Sequence, residues 1–149
     1  MTDDSEVMLV VDDEESDVQL IQNALEGAGF TVVAADCYNS AIEVFQAHAG
    51  DIVMAVVDVS LPRRNGIELV KQLLRRKPSL RVLFVSGHVG AEVIRFYGLP
   101  ATDRHFLQKP FAAAALVARV QEILKSPEAW KWFAADAETA EDTNGRADG

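Results

Sequence analysis

Five side chains in this sequence have the types and positions to do chemistry together: the carboxylates of Asp12, Asp13 and Asp58, the hydroxyl of Ser86 and the amine of Lys109. Each lies at the end of a short, mostly apolar run: VMLVV at Val7–Val11, IVMAVV at Ile52–Val57, RVLFV at Arg81–Val85 and HFLQ at His105–Gln108. Gathered on one rim, three carboxylates repel one another strongly, and the assembly is tolerable only where a hard cation and an ammonium offset them. One Mg²⁺ together with Lys109 balances the three charges. An Asp-Asp pair at a strand end is also an ordinary way to open a solvated helix. What lifts these residues above that ordinary reading is that all five fall at strand ends in the right order.

The elements that must position them are legible as alternating patterns. Four of the strands are the runs above, and Thr31–Ala35 (TVVAA) is the other; the middle runs are apolar on both faces, as a buried parallel sheet requires. Between them, helix-period stripes recur: Val18, Ile21, Leu25 and Ala28 before Gly29; Ala41, Val44, Phe45 and His48 before Gly50; Ile67, Val70 and Leu74; and Leu116, Val120 and Ile123. Gly90–Gly98 reads as a further short helix between two glycines. Each parallel crossover needs a helix, so five strands with five helices specify a three-layer (βα)5 α/β sandwich: a doubly wound parallel five-stranded sheet of flavodoxin-like type. In such sheets ligands bind outside the carboxyl ends of the strands, where the strand order reverses.

Composition narrows the classes further. The chain has 149 residues, 49% of them hydrophobic, which suits one globular domain with a packed core. Residues 1–62 hold 13 acids and no Lys or Arg; the rest holds 10 acids and 14 bases, so the two parts stand at −13 and +4 within a net charge of −9. That balance argues against nucleic acid as a direct partner. An acidic leader (Asp3, Asp4, Glu6) and the lack of a long apolar stretch argue against a signal peptide or membrane span, so the expected location is the cytoplasm. Cys37 alone, with His48, His88 and His105 scattered, offers no zinc-type ligand spacing. Arg75, Arg76, Lys77 and Arg81 read as cations at a helix C-terminus, on the rim opposite the carboxylates. His48 reads as a partly buried packing residue and Cys37 as a small core or loop residue.

The motifs VVDDE at Val10–Glu14, VDVSLPRRNG at Val57–Gly66, VSG at Val85–Gly87 and LQKPF at Leu107–Phe111 resemble those of a bacterial two-component response-regulator receiver domain. The resemblance covers about residues 6 to 125. It implies that Asp58 is the phosphoacceptor and that Mg²⁺ is bound directly by Asp13, Asp58 and the backbone carbonyl of Ser60, with Asp12 acting through water. It also implies that Ser86 and Lys109 bind the phosphoryl oxygens and that Lys109–Pro110 is cis. The implied donor is a phosphohistidine on a histidine kinase or histidine phosphotransfer protein. The implied output is a downstream protein, or a second copy in a homodimer, bound through the fourth helix, fifth strand and fifth helix. Domain boundaries are then 1–125 for the receiver and 126–149 for a C-terminal extension. In the extension, Ser126-Pro127-Glu128 reads as the start of a short helix carrying Trp130, Trp132 and Phe133, followed by a disordered acidic tail. This aromatic cluster could dock on its own domain, on a second copy, or on nothing.

Several positions depart from the family pattern. Phe106, three residues before Lys109, stands where the switch aromatic is often Tyr; it has no hydroxyl, and reads either as a ring switch partnered with Ser86 or as a core residue. Ser60 and His88, two positions past Asp58 and Ser86, correspond to the pair that tunes autodephosphorylation; His88 reads either as a pH-dependent modulator or as a loop residue near the pocket. Phe96 and Tyr97 on the short helix suit a partner surface. A metal-dependent phosphatase of haloacid-dehalogenase type would need a second Asp where Ser60 stands. A flavodoxin-like cofactor protein would need a neutral phosphate loop where Asp-Asp-Glu-Glu would repel the phosphate. A phosphorylation-independent pseudo-receiver would not need every pocket residue that is present here.

Overall fold

The structure is a computed structural model that describes residues 6–87, 90–96, 98, 99 and 102–126. His88, Tyr97 and the segment with Trp130, Trp132 and Phe133 lie outside the described residues. Strands β1 (Val7–Val11), β2 (Thr31–Ala35), β3 (Ile52–Asp58), β4 (Arg81–Ser86) and β5 (Phe106–Gln108) alternate with helices α1 (Glu15–Gly27), α2 (Tyr38–His48), α3 (Gly66–Arg76), α4 (Ala91–Phe96) and α5 (Ala113–Lys125). All pairings are parallel, in the order β2-β1-β3-β4-β5. This is the flavodoxin-like doubly wound sheet expected from the alternation of periods.

Alternate side chains of a strand face opposite sides of the sheet, which is why the central strands are apolar at both parities. Leu9, Val11, Ala55, Val57 and Phe84 face a core closed by Phe45 of α2, Leu69 and Leu73 of α3 and Ile94 of α4. Met8, Val10, Met54, Val56, Leu83 and Val85 face a second core closed by Ile21 and Leu25 of α1 and by Leu116, Val120 and Ile123 of α5. The sheet is thus buried on both faces, and the chain's chemistry is left to its strand ends.

Three local features differ from the sequence reading. The fifth strand starts at Phe106, not His105, because Asp103–His105 is a 3-10 turn in which His105 Nδ1 accepts from the backbone N–H of Thr102 at 3.1 Å. The fourth helix ends at Phe96, inside the expected Gly90–Gly98 span, and Gly98 at φ 97° turns the chain away from it. Cys37 is neither core filler nor plain loop: it is the N-cap of α2, its sulfur accepting from Ser40 N while Ser40 Oγ accepts from Cys37 N. In the basic cluster, Lys77 Nζ donates to the carbonyls of Ala49 and Ile52, and Arg81 donates to those of Ile123 and Leu124 at the end of α5.

Candidate functional site

The strand order reverses between β1 and β3, so the carboxyl ends of these two neighbours open a crevice. Asp12, directly after β1, is 1% exposed, and Asp58, the last residue of β3, is 4% exposed. Asp13 is exposed beside them, and one carboxylate oxygen from each of the three lies within 4.8 Å of the others. Local bonding fixes the buried pair. Asp12 Oδ1 accepts from Glu14 N at 2.9 Å, at the entry to α1, and Asp58 Oδ1 accepts from Ser60 N at 2.8 Å. Such a set of anionic oxygens fits a hard divalent cation.

Lys109, directly after β5, reaches across the crevice. Its Nζ donates to Asp12 Oδ2 at 2.8 Å, Asp17 Oδ2 at 2.7 Å and Asp58 Oδ2 at 2.9 Å. The Lys109–Pro110 bond is cis, as the resemblance implied, and Lys109 N donates to the Ser86 carbonyl at 2.9 Å. Together Asp13, Glu14, Asp17, Asp58, Ser60, Gly87 and Lys109 line a cleft of about 270 Å³.

The electrostatics follow from burial and crowding. Burial pushes the Asp12 carboxyl up to about 6, against the hydrogen bonds from Lys109 and the Glu14 N–H; the charge of Asp58 pushes the same way as burial. For Lys109, burial favours the neutral amine, but its bonds to Asp12, Asp17 and Asp58 outweigh that and hold it above the usual lysine value. The ammonium is therefore fixed as a charge.

A tight turn sets the position of Asp58. Asn65 caps α3 by accepting from Glu68 N at 2.9 Å, and Gly66 N donates to the Val59 carbonyl at 2.9 Å. A Cβ on Gly66 would lie 2.1 Å from the Asp58 carbonyl oxygen and 2.7 Å from Val57 Cγ1, so only glycine fits this approach. Between them, Arg63 holds φ 71° in a turn closed by Arg64 N and the Pro62 carbonyl at 2.7 Å.

The structure brings Asp12, Asp13, Asp58 and Lys109 together. Ser86 is at the end of β4 but fully buried, and among the described residues the cleft is lined there by Gly87. Phe106 is half-buried against the first core and pairs across to Phe84, while Phe96 is 84% exposed. Asp17 is the residue that sequence reasoning missed. Its signal was slight: it stands one turn before Ile21 and two before Leu25, a carboxylate beside Val18 at the start of the inward stripe of α1.

An acid cluster, two of its three members buried, beside a fixed ammonium at the switch point of a doubly wound parallel sheet defines the class as an α/β protein with a charged crevice at its strand ends. Comparison with known proteins makes the class specific. The family described as "Response regulator receiver domain" matches residues 8–121. The chain is 36% identical over 121 residues to the alkaline phosphatase synthesis transcriptional regulatory protein PhoP of Bacillus subtilis, covering 81% of this chain and 49% of that protein. It is 31% identical over 125 residues to the sensor kinase CckA of Brucella abortus, covering 83% of this chain and 13% of that one. Among solved structures, a response regulator receiver protein from Sinorhizobium medicae superposes with a TM-score of 0.75 at 26% identity, over 85% of this chain and all of that one.

This chain belongs to the response-regulator receiver family, the signalling phosphoacceptors of two-component systems. It spans about half the length of the curated transcriptional regulators it matches. Among the described residues no helix is long and apolar enough to cross a membrane.

Proposed function

We propose that the chain accepts a phosphoryl group on Asp58 from a phosphohistidine of a histidine kinase or histidine phosphotransfer protein, in a Mg²⁺-dependent reaction. The observation that carries this reading is Asp58 itself: a buried carboxylate on the wall of the cleft, held by the Ser60 N–H on one oxygen and by Lys109 on the other. In the transfer, a carboxylate oxygen of Asp58 bonds to phosphorus as the P–N bond to the donor ring breaks. The electron pair of that bond returns to the ring, which carries a proton on its other nitrogen and so departs as neutral histidine. Phosphoryl transfer depends mainly on alignment and charge neutralisation. The Ser60 N–H and the α3 turn align Asp58, and Lys109 meets the charge gathering on the phosphoryl oxygens.

Asp12, Asp13 and Asp58, with the Ser60 carbonyl, would hold the cation, which when bound neutralises the phosphoryl oxygens. Ser86 is the second anchor for those oxygens; being fully buried here, it must expose its hydroxyl to serve. In that movement Phe106, packed against the first core, is the residue that repacks and alters the face formed by α4, β5 and α5. Ser60 lines the cleft and tunes hydrolysis from there, together with His88. This face is the one offered to a downstream protein or a second copy, with Phe96 at its edge.

The test is incubation with Mg²⁺ and acetyl phosphate, read by intact mass. One base-labile phosphoryl adduct is expected, absent after chelation of the metal. A protein left unmodified under saturating donor and Mg²⁺ refutes the assignment.

A further inference from the structure

An ammonium has three N–H donors, and Lys109 uses them on Asp12, Asp17 and Asp58 at 2.8, 2.7 and 2.9 Å. A phosphoryl oxygen on Asp58 therefore gains a bond from Lys109 only when one of these acceptors lets go. The three are not equivalent. Asp58 carries the incoming group, and Asp12 is buried and belongs to the carboxylate cluster with Asp13. Asp17 is outside that cluster, lies on the first turn of α1, lines the cleft, and has 31% of its side chain exposed, so water can replace what it loses.

We propose that Asp17 is a positioning residue: it tethers the Lys109 ammonium in the unphosphorylated state and is the partner that Lys109 exchanges for a phosphoryl oxygen. This rests on Asp58 being the phosphoacceptor. Asp17 also changes the charge balance of the pocket. With Asp12, Asp13, Asp17 and Asp58 ionised, one Mg²⁺ and Lys109 leave one negative charge, and an added phosphoryl group makes the pocket more negative still.

Two effects of opposite sign follow from neutralising Asp17. Lys109 becomes free for an added anion, and repulsion of that anion falls, so a phosphoryl mimic binds more tightly. The field that attracts a divalent cation weakens, so Mg²⁺ alone binds less tightly. A merely structural defect would weaken both.

The experiment uses the full chain as wild type, Asp17→Asn and Asp17→Glu. Mg²⁺ is titrated alone, and beryllofluoride is then titrated at saturating Mg²⁺, both by calorimetry. For Asp17→Asn, beryllofluoride should bind roughly three- to tenfold more tightly and Mg²⁺ roughly two- to fivefold more weakly, with Asp17→Glu returning both toward wild type. Beryllofluoride binding in Asp17→Asn that is equal or weaker, or Mg²⁺ binding that does not weaken, overturns the proposal. Wild-type protein that takes up no beryllofluoride overturns the phosphoacceptor reading and this inference with it.

Discussion

Among single residues, His105 makes a claim that can be separated from the phosphorylation chemistry. Burial, helped by Arg104, lowers its pKa from 6.5 to about 4, and its Nδ1 is an acceptor for the Thr102 N–H, so the fold holds the neutral ring. A histidine lowered in the folded state contributes stability that is complete above its unfolded pKa and is lost as pH falls from about 6.5 toward about 4. Allowing for partial exposure, the loss is about 1–2 kcal/mol. The check is urea unfolding of wild type against His105→Asn at about pH 7 and about pH 4.5. The wild-type advantage should shrink by that amount at the lower pH, and parallel pH profiles would sink the idea. Asp12 and Asp17 show two limits of reading residues one at a time. Asp12 was legible because it follows an apolar run, whereas Asp17 meets its partner only across 92 residues of sequence. Its sole local sign is a carboxylate one turn before Ile21, next to the apolar stripe that Val18 opens.

Among elements, the turn from β3 into α3 fixes Asp58, and Gly66 is its tightest point. An Ala at position 66 would push its Cβ into backbone, which cannot swing away as a side-chain end can. Gly66→Ala should cost about 2–4 kcal/mol of stability and displace the Asp58 carbonyl, so that Mg²⁺ and beryllofluoride affinity fall with it. Denaturant unfolding together with a Mg²⁺ titration checks this; a variant as stable as wild type would mean that the turn relaxes easily. Strands β1, β3 and β4 were legible nearly to the residue because burial on both faces writes a continuous apolar run, whereas β2, a half-exposed edge strand, was legible from its Thr-Val-Val start. The edge strand β5 was not, since only three residues pair and the preceding His105 is fixed by a turn bond that no periodicity encodes. The cap of α2 escaped for a similar reason: Cys37 is an uncommon N-cap, and Ser40 completes the box.

For the whole molecule, the charge asymmetry is partly resolved by topology. All four acids that bond Lys109 or make up the carboxylate cluster come from the first 62 residues, which hold no Lys or Arg, and the sheet order carries the late Lys109 back to them. Of the other early acids among the described residues, Glu14 also lines the cleft and the rest lie outside its lining. If modification of Asp58 repacks Phe106, the response should reach α4, β5 and α5 rather than the far edge at β2. Hydrogen exchange with and without Mg²⁺ and beryllofluoride should differ in that region, and a change confined to the pocket loops would show that the switch does not propagate. The phosphoacceptor assignment itself is open to a direct chemical map. Borohydride cleaves an aspartyl phosphate by reducing its acyl carbon, leaving homoserine at the modified position. After phosphorylation with acetyl phosphate and Mg²⁺, peptide mapping should find homoserine at position 58 alone and none in Asp58→Asn. Homoserine at another position, or its persistence in Asp58→Asn, would contradict the account.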